Sequence, residues 1–420
     1  MKRTLIKELK KHFGKEVLVK GWVSRIREIG GIGFVLLRER SGVVQLVVPK
    51  ELYKELSAET PIEIKGMVCA EQRAPEGLEV HVKQLKIYSK VQPLPIQLEK
   101  ELPLPTLMKH RPISLRAKKQ QAIFKVHAEL VHAFREFMRS KEFTEIHSTK
   151  LTSSGLEGGS EIFELQYFEK KGYLAQSPQF YKQMMVGVFE RVFEVGKVYR
   201  AEPHATTRHL AEYVGLDFEM GFIESVEEVM EMEEALLKYV FKQLEEHCKS
   251  ELKLFGAEVP RIKSIPRIPF LKAVELLEQG YKKEFGKEDL TPEMERLLCE
   301  FVKQKYGEEF VFVTEYPWKK RPFYAMPKGE LSESFDLLFR GLEITTGGQR
   351  VHEYEQLLEC MKQKKVKPEA FESYLMCFKY GMPPHGGLGI GSERIVKQLL
   401  GLPSVEEASL IPRTKERFLH

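Results

Sequence analysis

Apolar and polar residues alternate with a period of two along much of the first 92 residues. The pattern predicts strands over residues 16–23, 33–37, 43–48, 61–68 and 78–87, punctuated by glycines and charges. About five short strands in a segment of this size predict a small barrel, and the five-stranded form that commonly binds oligonucleotides is the OB-fold. Residues 93–115 are dense in proline (Pro93, Pro95, Pro103, Pro105, Pro112), which predicts a stiff extended linker and a domain boundary. The period then lengthens. Ile123, Val126, Leu130, Phe134 and Phe137 recur at three- and four-residue spacing, predicting a helix over 116–141. Strands are expected at 143–146, 161–168, 192–200, 213–222, 310–315, 333–339 and 341–346, and helices at 225–247, 271–283 and 292–306. A glycine-rich strand and a helix close the chain at 386–400. Strands that follow a leading helix without strict βαβ alternation predict an α+β domain, an antiparallel sheet flanked by helices, over 116–420.

Composition narrows this picture only a little. The chain has 420 residues, 42% hydrophobic and 30% charged, as expected of an ordinary globular protein of two or three domains. A net charge of +5 barely favours nucleic acid over other partners. Five scattered cysteines argue against a disulfide framework and a cysteine-based zinc site. No apolar run approaches the length of a membrane span, and Met1-Lys2-Arg3 leads into an amphipathic helical pattern rather than a secretory signal, so a cytoplasmic protein is expected.

Candidate chemistry lies in three stretches. Val198-Tyr199-Arg200-Ala201-Glu202, a short polar loop, and Arg208-His209-Leu210-Ala211-Glu212-Tyr213 read as strand, loop and strand. Two planar, permanent cations and an aromatic ring across a hairpin suit a nucleotide: guanidinium on phosphate, ring on base, carboxylate on exocyclic amine. Gly386-Gly387-Leu388-Gly389-Ile390-Gly391-Ser392-Glu393-Arg394 permits close backbone approach, but its place near the C-terminus and the lack of a βαβ unit exclude a Rossmann reading. Between them, Asp336 and Glu343 stand on neighbouring strand-like stretches, hard oxygen ligands of the kind Mg²⁺ requires.

Together these stretches resemble motif 2, motif 3 and the metal segment of the class II aminoacyl-tRNA synthetases, in the subgroup with an N-terminal OB anticodon domain (aspartyl, asparaginyl and lysyl enzymes). The resemblance covers nearly the whole chain: residues 1–92 would bind the anticodon, 93–115 form the hinge and 116–420 the catalytic domain. It implies that Arg200 holds the α-phosphate of ATP, Glu202 the adenine amine and Arg208 the distal phosphates. Tyr213 and Arg394 would sandwich the base beside Gly391, and Asp336, Glu343 and Thr346 would serve Mg²⁺. The stretch Gln176-Ser177-Pro178-Gln179-Phe180-Tyr181-Lys182-Gln183 looks like the aspartyl pattern. Lys182 and Arg350 would hold the β-carboxylate of L-aspartate, while Glu157, Gln179 and Asp217 surround its α-amino group. In the barrel, Arg27, Phe34 and Gln45 match positions that read anticodon bases.

The chain departs from the family pattern in places. Thr149 stands where motif 1 usually carries an interface proline of the homodimer, and Arg417-Phe418-Leu419-His420 is not the expected ending. The segment between motifs 2 and 3 has no room for the large insertion of the common bacterial aspartyl enzyme, so the chain looks like the compact archaeal type. Within that type Pro75 matches enzymes that charge tRNA-Asn as well as tRNA-Asp, whereas Ser24 matches neither residue expected at its companion position. Competing readings are an asparaginyl enzyme, a non-catalytic tRNA-binding paralogue and an amide-forming enzyme; the last would not need the barrel.

Overall fold

In the computed structural model, which describes residues 1–153, 162–203 and 206–418, the alternating segments close on themselves. Strands β1 (Glu16–Ile29), β2 (Ile32–Glu39), β3 (Gly42–Pro49), β4 (Pro61–Ala70) and β5 (Leu78–Ile87) form a closed barrel in the order β1-β2-β3-β5-β4. Every second residue points inward; Val17, Val19, Val35, Leu37, Val44, Leu46, Ile62, Ile64 and Val80 fill the interior. Strand β1 runs further than its alternation predicts, because a bulge between Val23 and Arg25 restarts the period. Val23 pairs with Leu37 and Arg25 with Leu36, so Ser24 is the extra residue. Its hydroxyl donates to Leu36 O at 3.0 Å. The shift turns Ile26 toward the core and Arg27 outward, opposite Phe34.

The chain divides into two compact units, Met1–Lys100 and Glu101–His420. The second begins with a departure from the extended linker: Leu104–Lys109 and Arg111–Ser114 are short helices. Pro105 and Pro112 lie in their first turns, where a missing N–H and a fixed φ cost nothing.

An eight-stranded sheet organises this unit. Its strands are β6 (Thr144–Glu145), β7 (Arg191–Tyr199), β8 (Glu212–Gly221), β9 (Arg267–Pro269), β10 (Phe310–Thr314), β11 (Ser334–Phe339), β12 (Leu342–Arg350) and β13 (His385–Gly391). Their order is β9-β10-β11-β12-β13-β8-β7-β6. The six central strands are antiparallel, as expected, but each edge strand pairs in parallel, so the sheet is mixed. Helices α1 (Lys118–Ser140), α3 (Val226–His247) and α6 (Ser392–Leu400) cover one face, with Phe134, Leu237, Phe241 and Val396 packed on Leu216, Phe218, Leu388 and Ile390. Helix α2 (Gln179–Phe189), which the sequence reading assigned to no element, packs with the segment 354–382 in a separate cluster. Helices α4 (Phe270–Tyr281) and α5 (Pro292–Tyr306) pack with β10 and Leu338. Beside that cluster, the same face of β12, β13 and β8 is left for polar groups.

Polar groups are buried on the helical side as well. Glu233 of α3 is fully buried and accepts from the Thr345 hydroxyl at 2.5 Å. Burial pushes its carboxyl up to about 8. Between about pH 4.5 and 8 the unfolded chain has released this proton and the folded chain keeps it, so stability falls as pH rises through that window. Glu233→Gln is expected to match the wild type near pH 5 and exceed it by several degrees in Tm near pH 9. Melting curves across that range check this; parallel Tm profiles would contradict it.

Candidate active site

Strand geometry lines up the polar face. Along β8 every second residue points the same way, so Tyr213, Gly215, Asp217 and Glu219 share one side while Leu216, Phe218 and Met220 enter the core. Next to it, β13 offers Gly391, Gly389 and Gly387 in register with Gly215, Asp217 and Glu219. These glycines are required by close approach. A Cβ at Gly389 would sit 2.8 Å from Asp217 Oδ1, and one at Gly387 would overlap Phe218 O and Glu219 Oε2. The two carboxylates therefore lie across the glycines of β13, whose Leu388 and Ile390 point the other way.

Lys182 of α2 reaches this place. Its Nζ donates to Leu388 O at 2.7 Å and Asp217 Oδ1 at 3.0 Å, and lies 3.5 Å from Glu219 Oε2. Arg350, at the end of β12, donates through Nε to Glu219 Oε1 at 2.9 Å and through Nη2 to Gly387 O at 2.9 Å and Gln179 Oε1 at 3.4 Å. All four charged side chains are at least nine-tenths buried. Burial alone would raise both carboxyls; Arg350 and Lys182 outweigh it at Glu219, which is held below its usual range, while Asp217 stays raised. Glu219 was not singled out from the sequence, although it stands two residues beyond Asp217 and period two puts it on the same face.

A second bulge shapes the other end. Leu337 pairs with Thr345 but Leu338 with Glu343, so Ile344 is extra. Without it Glu343 would face the core helices; with it Glu343, Thr346 and Asp336 share the polar face. Thr346 Oγ1 donates to Glu343 Oε1 at 3.1 Å. Arg394 Nη1 donates to Glu343 O at 2.8 Å and lies 3.4 Å from Oε1. Burial would raise Glu343, but Arg394, Arg200 and Arg321 hold it below its usual range. The hairpin strands β7 and β8 are in register from Arg191 opposite Met220 to Tyr199 opposite Glu212. Arg200 N then donates to Ala211 O, and the Arg200 guanidinium lies 5.8 Å from the Tyr213 ring.

One cavity is lined by Gln179, Lys182, Arg200, Glu202, Arg208, Tyr213, Asp217, Glu343, Thr346, Arg350, Gly391 and Arg394. His209 and Arg321 line it too, and neither was anticipated. Asp336 stands behind the wall, its Oδ2 accepting from Arg321 Nη2 at 2.8 Å. Glu157 lies outside the described residues, as do His204 and Ala205 of the hairpin loop. Among the described residues no group of three or more His, Cys, Asp or Glu gathers. The donor set nonetheless fits a hard cation: Glu343, Thr346 and Asp336 offer only oxygen, and Asp336 Oδ1 is a buried acceptor without a hydrogen bond.

Two family models match. "tRNA synthetases class II (D, K and N)" covers residues 104–415, and "OB-fold nucleic acid binding domain" covers residues 17–88. The chain belongs to the class II aminoacyl-tRNA synthetases. It is an aminoacyl-tRNA ligase with an N-terminal OB-fold barrel. Among its relatives, the aspartate–tRNA(Asp/Asn) ligase of Thermus thermophilus is 47% identical over 99% of both chains. The aspartate–tRNA(Asp) ligase of Pyrococcus furiosus is 41% identical over 97% of this chain and 96% of the other. Among solved structures, the asparaginyl-tRNA synthetase of Pyrococcus horikoshii with asparaginyl-adenylate superposes with a TM-score of 0.94 at 30% identity, over 100% of this chain and 99% of that one.

In the barrel of this synthetase, Arg27 is exposed opposite half-buried Phe34, which is not part of the barrel core. Gln45 lies one strand on, opposite Leu36, and donates to Glu79 Oε2 at 2.9 Å. Pro75 is exposed in the turn between β4 and β5.

Gly389→Ala is expected to displace Asp217, cost about 1–3 kcal/mol of stability and weaken amino-acid binding. Gly280→Ala, in open space on α4, is expected to be neutral or slightly stabilising. Melting temperatures and amino-acid titrations of both variants check this; equal effects would contradict it.

Proposed function

We propose that the chain ligates L-aspartate to tRNA-Asp through an aspartyl-adenylate and also accepts tRNA-Asn. The observation that carries the substrate is the pair of buried cations, Lys182 and Arg350, at one end of a cavity lined elsewhere by Arg200, Tyr213 and Arg394. Lys182 and Arg350 carry only N–H donors, which suit a β-carboxylate because both of its oxygens accept; an amide would turn its NH2, itself a donor, toward them. Asp217 and Gln179 are in reach of the α-amino group, where Glu157 is proposed to join them.

In this reading the aspartate α-carboxylate oxygen attacks the α-phosphorus of ATP, an O–P bond forms, the bond to the β-phosphate oxygen breaks, and pyrophosphate leaves. Arg200 holds the α-phosphate, Glu202 the adenine amine, Tyr213 and Arg394 the base beside Gly391, and Arg208 the distal phosphates. Catalysis is positioning and charge stabilisation by fixed cations rather than a covalent step on the protein. Glu343, Thr346 and Asp336 would hold Mg²⁺, which supplies neutralising charge on the phosphates. A terminal ribose hydroxyl of the tRNA then takes the aspartyl group, and AMP leaves.

The barrel presents Arg27, Phe34 and Gln45 to anticodon bases: an aromatic face for stacking and polar groups for base edges. We assign the barrel and residues 93–115 the anticodon-binding and hinge roles, and 116–420 the catalytic role. Pro75 and Ser24 bear on tRNA choice, and the relative that carries both acceptors in its name supports relaxed recognition. A homodimer is supported by the exposed apolar side chains of Val188, Phe189 and Phe222 beside one cleft. No helix among the described residues is long and apolar enough to cross a membrane, and we place the protein in the cytoplasm with its tRNA.

The asparaginyl alternative, favoured by the superposition on an asparaginyl enzyme, is separated by ATP–pyrophosphate exchange. Exchange is expected with aspartate and at least roughly 100-fold less with asparagine; exchange with asparagine alone overturns the reading. Side-by-side charging of tRNA-Asp and tRNA-Asn transcripts tests the second acceptor, and failure to aspartylate tRNA-Asn refutes relaxed recognition.

A further inference from the structure

Arg208 does not stand alone at the cavity. Its Nη2 donates to both carboxylate oxygens of Glu295, at 2.6 and 2.5 Å. Glu295 Oε2 also accepts from the main-chain N–H of Glu343 at 2.8 Å. One carboxylate thus ties the hairpin that carries Arg208 to the bulged strand that carries Glu343. Glu295 is 5% exposed and is not among the residues that line the cavity. It sits in the first turn of α5, whose start is set by Pro292 and by Thr291, whose side chain accepts from Met294 N. That helix comes from the short segment between the hairpin and the glycine-rich strand, 87 residues from Arg208.

A buried acid is costly unless its bonds are made, and here both oxygens are taken. The geometry also suits the cation. Arginine presents five N–H groups in a planar fork, so holding it by one terminal nitrogen fixes the plane and leaves its other donors for a ligand. A long side chain at a loop end otherwise loses rotamer freedom when it meets phosphate. Arg394 completes the frame, donating through Nη1 to Glu343 O and through Nε, at 3.3 Å, to Arg208 O.

We propose that Glu295 is a positioning residue for the triphosphate: anchored on the main-chain N–H of Glu343, it orients Arg208 without touching ATP itself. The inference rests on the ATP site described above. It places part of the phosphate-binding machinery on a helix that the nucleotide motifs do not include.

Pyrophosphate exchange with full-length wild type, Glu295→Gln, Glu295→Asp, Arg208→Ala and the double variant Arg208→Ala/Glu295→Gln tests it. Glu295→Gln keeps the shape and removes the charge. It is expected to raise KM for ATP about 10-fold and leave KM for aspartate within about twofold. Glu295→Asp, which keeps the charge, should fall between it and the wild type. On the Arg208→Ala background, Glu295→Gln should add less than about twofold, because the residue acts through Arg208. An unchanged or lowered KM for ATP, a parallel rise in KM for aspartate, or additive losses in the double variant would overturn the proposal. A wild type without aspartate-dependent exchange would overturn the underlying reading and the inference with it. An active wild type with an indifferent Glu295→Gln would overturn the inference alone.

Discussion

Four charges buried over the glycines of one strand are the constraint around which the site is arranged. Lys182, Arg350, Asp217 and Glu219 sum to zero, and each has at least one partner within 3.0 Å. A desolvated lysine or arginine in this place is unfavourable without such partners, and a lone buried acid equally so. The cluster exists only because Gly387 and Gly389 let the carboxylates lie flat on β13, and because α2 delivers Lys182 to the same spot. In the proposed reading it gives the cavity an end whose N–H donors distinguish a carboxylate from an amide.

Two bulges do comparable work in the two units. One extra residue, Ser24, turns Arg27 to the outer face of the barrel beside Phe34. Another, Ile344, brings Glu343 onto the face of Asp336 and Thr346. In both cases the strand keeps its pairing and changes the side to which its later residues point. The polar residues of the site are therefore a consequence of register as much as of identity.

Much of this was legible in the chain. Alternation marked the five barrel strands because each faces the interior on one side and solvent on the other. The long helices α1 and α3 were visible through their apolar stripes. Strands β10 and β11, buried on both faces, also stood out as apolar runs. Helix α2 did not, because Gln179, Lys182 and Gln183 are buried polar residues that blur its period. Motif residues such as Arg200, Tyr213 and Arg394 were recognisable, and the fold places them around one cavity. Glu219, Glu295 and Arg321 were not singled out. Glu295 and Arg321 come from segments far along the chain, where nothing local distinguishes them from surface charges. The bulges were equally hidden, since an inserted residue leaves no mark in a pattern read one strand at a time.

In the proposed reading, the buried cluster of Lys182, Arg350, Asp217 and Glu219 selects a carboxylate side chain. Equilibrium titration with two non-hydrolysable adenylate analogues, aspartyl- and asparaginyl-sulfamoyl adenosine, tests it most directly, because the two differ only at the group that meets Lys182 and Arg350. The aspartyl analogue is expected to bind at least roughly 100-fold more tightly, and Lys182→Met to remove most of that preference. Equal affinity for both, or tighter binding of the asparaginyl analogue to the wild type, would contradict it.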